Sequence, residues 1–198
     1  MTTTKAERTS QFIIKTIAPI FNKKGYAATS LSDITNATGL TKGAIYGNFE
    51  NKEELAEEAF TYLFDLVISN LEYRTSQGNT PFEKLICFTD FYKEYYQFSN
   101  IMGGCPLINF GVDCKNQNPQ LLRRVQDGIT RIEGIIEDLI DQGKNIGEIR
   151  KNINGKIYGK RFYSLIQGAI LMTQTTENPS YLADSMHVIV DTMNQRFR

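Results

Sequence analysis

Apolar residues recur at intervals of three and four along most of this 198-residue chain. That spacing places them on one face of a helix, whereas a half-buried strand would alternate strictly between apolar and polar residues. No alternation of useful length occurs, so the pattern predicts an all-α protein with about nine helices. They are expected near residues 5–24, 30–38, 41–49, 51–73, 81–98, 106–115, 119–143, 157–175 and 179–198.

Capping signals predict where several of these helices begin and end. Gly25 follows the apolar stripe of the first helix and is expected to end it. Ser30 and Asp33 have the spacing of a capping box, with Asp in place of the usual Glu. Thr41, Asn51 and Asn118 stand at the predicted starts of the third, fourth and seventh helices, where a side-chain oxygen can accept a backbone N–H bond.

The most informative stretch covers residues 41–49. An isolated helix needs about 12–15 residues in water, so this short, glycine-interrupted one must be held by its neighbours. Ile45 and Phe49 can pack inward, and the residues left facing outward are Lys42, Tyr46, Gly47 and Asn48. Residues 30–38, a turn containing Gly39 and this short helix form a helix-turn-helix pattern, whose second helix reads the major groove of DNA. The alternative is a connector helix whose polar face meets only water.

Charge is distributed unevenly along the chain. Residues 1–49 hold six Lys and Arg against two acidic residues, a net +4, so residues 50–198 carry −4 in a chain of zero net charge. A basic segment is attracted to phosphate, while an acidic remainder is not. The distribution therefore favours a nucleic acid as the partner of the amino-terminal part.

Composition excludes several other classes of protein. With 41% hydrophobic residues, the chain can bury a core without a disulfide or a metal. Cys87, Cys105 and Cys114 are irregularly spaced and distant from the single histidine, His187, so we expect reduced thiols and no metal site. There is no apolar run of about 18 residues and no leader-like amino terminus. We therefore expect no cofactor, no membrane association and a cytoplasmic location.

The amino-terminal part resembles the TetR family of transcriptional regulators. The resemblance runs over about 50 residues at fixed offsets and is carried by Ile17, Phe21, Gly25-Tyr26, Thr29-Ser30, Ile34, Ala37 to Gly43, Ile45-Tyr46, Phe49 and Asn51 to Leu55. It implies a helix-turn-helix DNA-binding domain over residues 1–50. It also implies a helical domain for ligand binding and dimerisation over residues 51–198. Many members have histidine where this chain has Gly47, so the operator sequence cannot be transferred from them.

Position by position, the resemblance implies a set of DNA contacts. Lys42 can pair with phosphate or guanine, Tyr46 with phosphate and Asn48 with adenine. Several others lie at helix starts, where hydroxyl groups and free backbone N–H groups favour phosphate. The full set is Thr29, Ser30, Thr41, Lys42, Gly43, Ala44, Tyr46, Gly47, Asn48 and Lys52. For Ser30 and Thr41, capping alone is an equally good explanation.

Two further sets fall in the carboxy-terminal part. A dimer interface is predicted on the last two helices, at Phe162, Leu165, Ile166, Ala169, Leu182, Met186, Ile189, Val190 and Met193. These residues could equally form plain core, and the family plan favours the interface. An effector pocket is predicted at Phe88, Phe91, Tyr92, Tyr95, Tyr96, Phe110, Tyr163, Gln167 and Met172, because phenols provide polar groups in an apolar cavity. The alternative is an aromatic core without a cavity.

Together these features predict a ligand-responsive transcriptional regulator. We expect a repressor that binds an inverted-repeat operator in double-stranded DNA as a homodimer and is released by a small apolar or aromatic effector. One alternative is a DNA-binding architectural or interaction protein without an effector. A helical enzyme is disfavoured, because the sequence has no phosphate-binding glycine loop and no recognisable pair of catalytic carboxylates.

Overall fold

The computed structural model describes residues 4–198, which form ten α-helices and no strand. The helices are α1 (Lys5–Lys24), α2 (Leu31–Thr38), α3 (Lys42–Tyr46), α4 (Lys52–Thr75), α5 (Pro81–Lys93), α6 (Tyr95–Ile101), α7 (Pro106–Cys114), α8 (Pro119–Asn145), α9 (Gly155–Thr176) and α10 (Ser180–Arg196). The all-α prediction is confirmed, and the predicted count of about nine is one too low.

The additional helix comes from an interruption at Glu94, where a single helix over residues 81–98 was expected. Lys93, Glu94 and Tyr95 are ordinary helix residues, so their types give no signal of a break. The interruption coincides with tertiary contacts: Arg74 pairs with Glu94, and the side chains of Tyr92 and Tyr95 on either side are 1% and 2% exposed. The interruption therefore accompanies tertiary contacts that residue types alone do not reveal.

The helix starts follow the predicted capping signals. Ser30 and Asp33 form the reciprocal capping box of α2, and Asn51 Oδ1 accepts the N–H of Glu54 at the start of α4, at 2.8 Å. Asn118 Oδ1 likewise accepts the N–H of Leu121 at 2.9 Å. Each bond satisfies a backbone donor that the first turn of a helix leaves without an intrahelical partner.

Contacts divide the described chain into two compact units. The first unit contains residues 4–66 and Ser99–Asp127, and the second contains Val67–Phe98 and Gly128–Arg198. Helices α4, α6 and α8 contribute residues to both. The predicted division at residues 50 and 51 stays a prediction.

Within the first unit, the segment after α6 is hydrogen-bonded to the end of α1. The Asn22 side chain, 2% exposed, donates to the carbonyls of Met102 and Gly104, each at 2.8 Å. Gly103 has φ of +83°, and a Cβ there would lie 2.7 Å from the Pro19 carbonyl oxygen. Only glycine fits that close approach without strain.

Within the second unit, α10 packs against α5 and α9. Its inward residues Leu182, Met186, Ile189 and Met193 are between 0% and 2% exposed. They recur at intervals of three and four, which aligns them on one face of the helix. This face forms part of the unit's apolar core.

Candidate nucleic-acid interface

A tight turn connects α2 to α3. Gly39 has φ of +68°, in the left-handed region that glycine adopts at little cost, and its N–H donates to the Thr35 carbonyl at 2.9 Å. Thr41 then caps α3, because its Oγ1 accepts the N–H of Ala44 at 3.2 Å. The predicted order of helix, turn and helix is confirmed, as is the Thr41 cap.

Two apolar residues anchor α3 while its other face stays open. Ile45 and Phe49 are 1% and 5% exposed, as predicted, whereas Tyr46 is 39% exposed. Lys42 is exposed, and its Nζ lies 5.8 Å from the centroid of the Tyr46 ring. Among residues 4–198 no carboxylate forms an ion pair with Lys42. The outer face of α3 therefore offers a cation and a phenol to an external partner.

Glycine keeps this outer face shallow. Gly43 and Gly47 are exposed, and Ala44 between them is half-buried. A Cβ added at Gly43 would meet no atom within 4 Å, whereas one added at Gly47 would lie 3.1 Å from the Gly43 carbonyl oxygen. The surrounding protein therefore leaves room for a side chain at position 43, and that space is available to another molecule.

Asn48 has a different environment from the one predicted. Its Nδ2 donates to the Ala44 carbonyl at 2.8 Å, and its Oδ1 accepts the Ser10 hydroxyl at 3.0 Å. These two bonds join the end of α3 to α1. An amide keeps a second N–H and a second lone pair, but these two bonds fix its orientation towards Ala44 and Ser10. We therefore replace the predicted base contact by a positioning role for Asn48.

The two predicted contacts before α2 also differ. Thr29 is 0% exposed, and its hydroxyl donates to the Gly25 carbonyl at 2.7 Å, so burial removes Thr29 from the contact set. Ser30 is exposed, but its hydroxyl belongs to the capping box with Asp33. Hydrogen bonds from Lys24 and then Ser30 hold the pKa of the Asp33 carboxyl well below its usual range, which keeps this box ionised at neutral pH.

Lys52, at the start of α4, lies beside an aromatic ring. Its Nζ is 4.7 Å from the Tyr26 ring centroid, and the Tyr26 hydroxyl donates to Glu53 Oε1 at 2.6 Å. Burial and then the Glu53 hydrogen bond raise the pKa of Tyr26 to about 12, and the Tyr26 hydrogen bond lowers the pKa of Glu53. At neutral pH this corner therefore presents a neutral phenol, a carboxylate and an ammonium group.

Ser10 and Tyr26 are absent from the predicted contact set, although both help to hold it. Tyr26 follows Gly25 within the family pattern, so the sequence carried a signal for it. Ser10 lies 38 positions before its partner Asn48, and no local pattern identifies such a pair. Asp113, in α7, also supports this region, since its carboxylate accepts the N–H groups of Tyr26 and Ala27.

Five of the nine residues of the predicted effector pocket pack together in the second unit. We call them the aromatic cluster: Phe88, Phe91, Tyr92, Tyr95 and Tyr163. Consecutive rings have centroids 5.0 to 6.4 Å apart, and Gln167 Nε2 donates to the Tyr163 hydroxyl at 2.6 Å. Tyr96 is half-buried.

Two members of the predicted pocket lie elsewhere. Phe110 belongs to the first unit, where its ring packs edge-on against Phe60 at 5.5 Å. Met172 is 42% exposed. It is nine positions after Tyr163, which at 100° per residue places it on the opposite side of α9. Neither residue therefore joins the aromatic cluster.

Most residues of the predicted dimer interface face the core of the single chain. Most of its residues are buried within the single chain, at 6% exposure or less: Phe162, Ile166, Ala169, Leu182, Met186, Ile189 and Met193. Val190 is half-buried. Only Leu165 of the predicted set is exposed, at 38%. The apolar side chains that α9 and α10 do expose are Ile157, Leu165, Leu171, Met172, Tyr181 and Val188. The face that we expected to form the dimer interface is therefore part of the core of the single chain.

The described residues show few features of other kinds of site. No helix in residues 4–198 has both the length and the apolar character needed to cross a membrane. The same residues contain no group of three or more His, Cys, Asp or Glu arranged to hold a metal ion. Within the described chain Cys87, Cys105 and Cys114 form no disulfide, and the last two are buried. Burial raises the pKa of the Cys114 thiol, which makes it a poor nucleophile.

Comparisons with known families agree with the helix-turn-helix geometry. Residues 13–59 match the family of bacterial regulatory proteins named tetR, and residues 81–189 match the family described as Tetracyclin repressor-like, C-terminal domain. The transcriptional regulator AcrR of Shigella flexneri is 34% identical over 41% of this chain and 38% of its own length. The chain therefore spans less than half of that curated relative.

Solved structures extend the similarity over the whole chain. A TetR-family transcriptional regulator from Cytophaga hutchinsonii is 34% identical, with a TM-score of 0.92 over 100% of this chain and 98% of that one. A TetR transcriptional regulator from Chloroflexus aurantiacus is 30% identical, with a TM-score of 0.93 over 98% of both chains.

Proposed function

The chain belongs to the TetR family of bacterial transcriptional regulators, and we propose that it is a ligand-responsive repressor that binds an inverted-repeat operator as a homodimer in the cytoplasm. Members of this family are DNA-binding regulators rather than enzymes, which sets the enzyme alternative aside. The observation that carries the proposal is the outer face of α3, with Lys42 and Tyr46 exposed above a buried Ile45 and beside two glycines.

DNA recognition follows from that face. Lys42 and Tyr46 contact phosphate or a base edge in the major groove, and Gly43 and Gly47 allow the helix backbone to approach closely. Thr41 still has its hydroxyl proton to donate to phosphate after capping α3. Lys52 adds a positive charge at the start of α4. Ser30, Asn48 and Tyr26 hold these groups in position.

A dimer is required because one short helix contacts too few base pairs for specificity. Two copies whose reading helices lie about 34–36 Å apart match one turn of DNA. We assign the interface to the exposed apolar residues of α9 and α10, chiefly Leu165, Met172 and Val188, in place of the buried face predicted from the sequence. Exposed apolar side chains on adjacent helices are typical of an association surface.

Effector binding is assigned to the aromatic cluster together with Gln167. An open groove of about 320 Å³ adjoins it, lined by Asn70, Tyr73, Arg74, Phe91, Glu94, Gln97 and Phe98. Aromatic rings with a few polar groups suit a small apolar or aromatic molecule. Such an effector releases the operator only if it binds the released state more tightly than the DNA-bound state.

Selection of bound sequences from random duplex DNA tests the proposal. The purified protein should enrich an inverted repeat with half-sites one helical turn apart. Addition of an aromatic effector, identified by thermal shift, should then lower the affinity for the selected site. Failure to enrich any sequence at modest salt would remove the proposed function. A selected site that no effector releases would favour the architectural alternative.

A further inference from the structure

A basic groove lies in the second unit, and none of its lining residues is used above for DNA or effector binding. It shares Ile157 with the exposed apolar residues of α9. Its volume is about 390 Å³, and we call it the arginine groove. Its lining residues are Arg150, Asn152, Ile153, Asn154, Ile157, Tyr158, Arg161, Gln195 and Arg196. Three of these nine carry a guanidinium group and none carries a carboxylate.

The local charge contrasts with that of the chain. Residues 150–176 contain five Lys and Arg and no Asp or Glu, whereas the whole chain has zero net charge and residues 50–198 are acidic overall. Like charges held close together repel one another, so such a cluster destabilises the free protein unless anions neutralise it. Glu137 and Asp141 line a neighbouring groove together with Lys151 and Lys156 and offset those two charges, whereas no described carboxylate offsets Arg150 or Arg161 at ion-pair distance.

Ion pairing separates the groove arginines from the others of the second unit. Arg74 pairs with Glu94, Arg131 with Glu72 and Arg198 with Glu148. The remaining three arginines of this unit are Arg150, Arg161 and Arg196, and no described carboxylate lies within ion-pair distance of any of them. All three are exposed, so their charges are available to a ligand.

The groove is also built on a packed base. The N–H of Arg150 donates to the Phe197 carbonyl at 2.8 Å, which joins the loop before α9 to the end of α10. Ile153 and Tyr158 are 7% and 9% exposed. The Tyr158 ring packs edge-on against the Phe197 ring, with the centroids 4.8 Å apart. The Arg161 guanidinium lies 5.5 Å from the centroid of the Tyr158 ring. The walls are therefore fixed by contacts that need no ligand.

We propose that the arginine groove binds a nucleotide, that is, a phosphorylated small molecule with a flat ring. Guanidinium groups bind phosphate oxygens through paired hydrogen bonds, which a single lysine cannot reproduce. Arg161 lies against Tyr158 on one face and is exposed, so its guanidinium can also stack on the ring of a ligand. Asn152, Asn154 and Gln195 provide amide donors and acceptors for the ring edge. The volume lies within the range of small-molecule sites.

The test uses the full-length protein and calorimetric titration at constant ionic strength, with ATP, inorganic triphosphate and adenosine as separate probes. We expect binding of ATP and of triphosphate, with ATP the tighter of the two, and no binding of adenosine. Arg161→Gln and Arg196→Gln should each weaken ATP binding about tenfold or more. Lys160→Gln removes the same charge from a neighbouring position outside the groove and should change the affinity less than about twofold.

One further variant and two further measurements separate this site from others. Lys42→Ala should leave ATP binding unchanged, because the DNA face is not involved, and Arg161→Gln should keep its affinity for the selected operator. Thermal melts establish that each variant is folded. The proposal is overturned if neither ATP nor triphosphate binds at millimolar concentration. Equal losses in Lys160→Gln and Arg161→Gln would also overturn it, since they indicate diffuse attraction rather than a site.

Discussion

The Ser10 hydroxyl of α1 donates to the side-chain oxygen of Asn48 at 3.0 Å, just beyond the end of α3. The same amide donates to the Ala44 carbonyl at 2.8 Å. The Asn48 side chain thus accepts and donates hydrogen bonds at the end of the reading helix α3 and connects it to Ser10 of α1, 38 positions earlier. A five-residue helix cannot maintain its own orientation, so this connection contributes to the position of Lys42 and Tyr46.

The first prediction concerns this pair. Asn48→Ala should weaken operator binding several-fold without changing the preferred base at any position, because the amide positions α3. Ser10→Ala should act in the same direction, although Ser10 has no predicted role at a base. Each lost hydrogen bond corresponds to about 0.5–1.5 kcal/mol. Sequence selection with both variants measures the base preference at each position. A relaxed preference at a single base position with Asn48→Ala alone would instead support a direct base contact by Asn48.

Lys42 provides a second prediction, on salt dependence. Lys42→Ala should weaken binding to specific and non-specific DNA alike and reduce the slope of log affinity against log salt by about 1, because one phosphate contact is lost. Lys115→Ala, an exposed lysine after α7, is the matched control and should leave the slope unchanged. Fluorescence anisotropy over a salt series gives both slopes. An unchanged slope in Lys42→Ala would argue against a phosphate contact.

Gly43 gives a third prediction, in which a substitution should increase stability and decrease operator affinity. Gly43→Ala should raise the free energy of unfolding by about 0.5–1 kcal/mol, since alanine favours the helix and its Cβ meets no protein atom within 4 Å. The same methyl group should lower operator affinity by occupying space needed by DNA. Gly134→Ala in α8, also with nothing within 4 Å, should stabilise the fold without affecting DNA. Denaturant unfolding and anisotropy provide the two measurements, and unchanged operator affinity in Gly43→Ala would place this face away from DNA.

The dimer surface gives a fourth prediction. Val188→Asp should shift the protein towards monomer and reduce operator binding, because a carboxylate in an apolar interface loses its hydration without a partner. Val112→Asp changes a still more exposed valine, at 77% against 55%, on α7. It should leave the dimer intact. Analytical ultracentrifugation distinguishes the two, and a stable Val188→Asp dimer would exclude this surface.

Local chemistry explains what the sequence could predict. The caps at Ser30, Thr41, Asn51 and Asn118 depend on residues three positions apart, so the local sequence is enough to predict them. The buried pair Ile45 and Phe49 follows from helical periodicity in the same way. The family resemblance then added the DNA-contacting roles of Lys42 and Tyr46.

Long-range packing explains what the sequence could not predict. The interruption at Glu94 coincides with a contact to Arg74, 20 positions earlier. Asn48 meets Ser10 only in the folded chain. On α9 and α10 the apolar residues nearly surround the helices, so periodicity alone could not decide which face enters the core. The structure assigns Leu182 and Met186 to the core and leaves Tyr181 and Val188 outside.

Site-specific photocrosslinking tests the central claim most directly. A photoreactive residue is placed at Tyr46, and a matched one at Tyr73, which is 71% exposed in the second unit. With the selected operator, we predict crosslinks from position 46 at two places about one helical turn apart, one in each half-site, and none from position 73. No crosslink from position 46, or equal crosslinks from both positions, would contradict the assignment of α3 as the DNA-reading helix of a dimer.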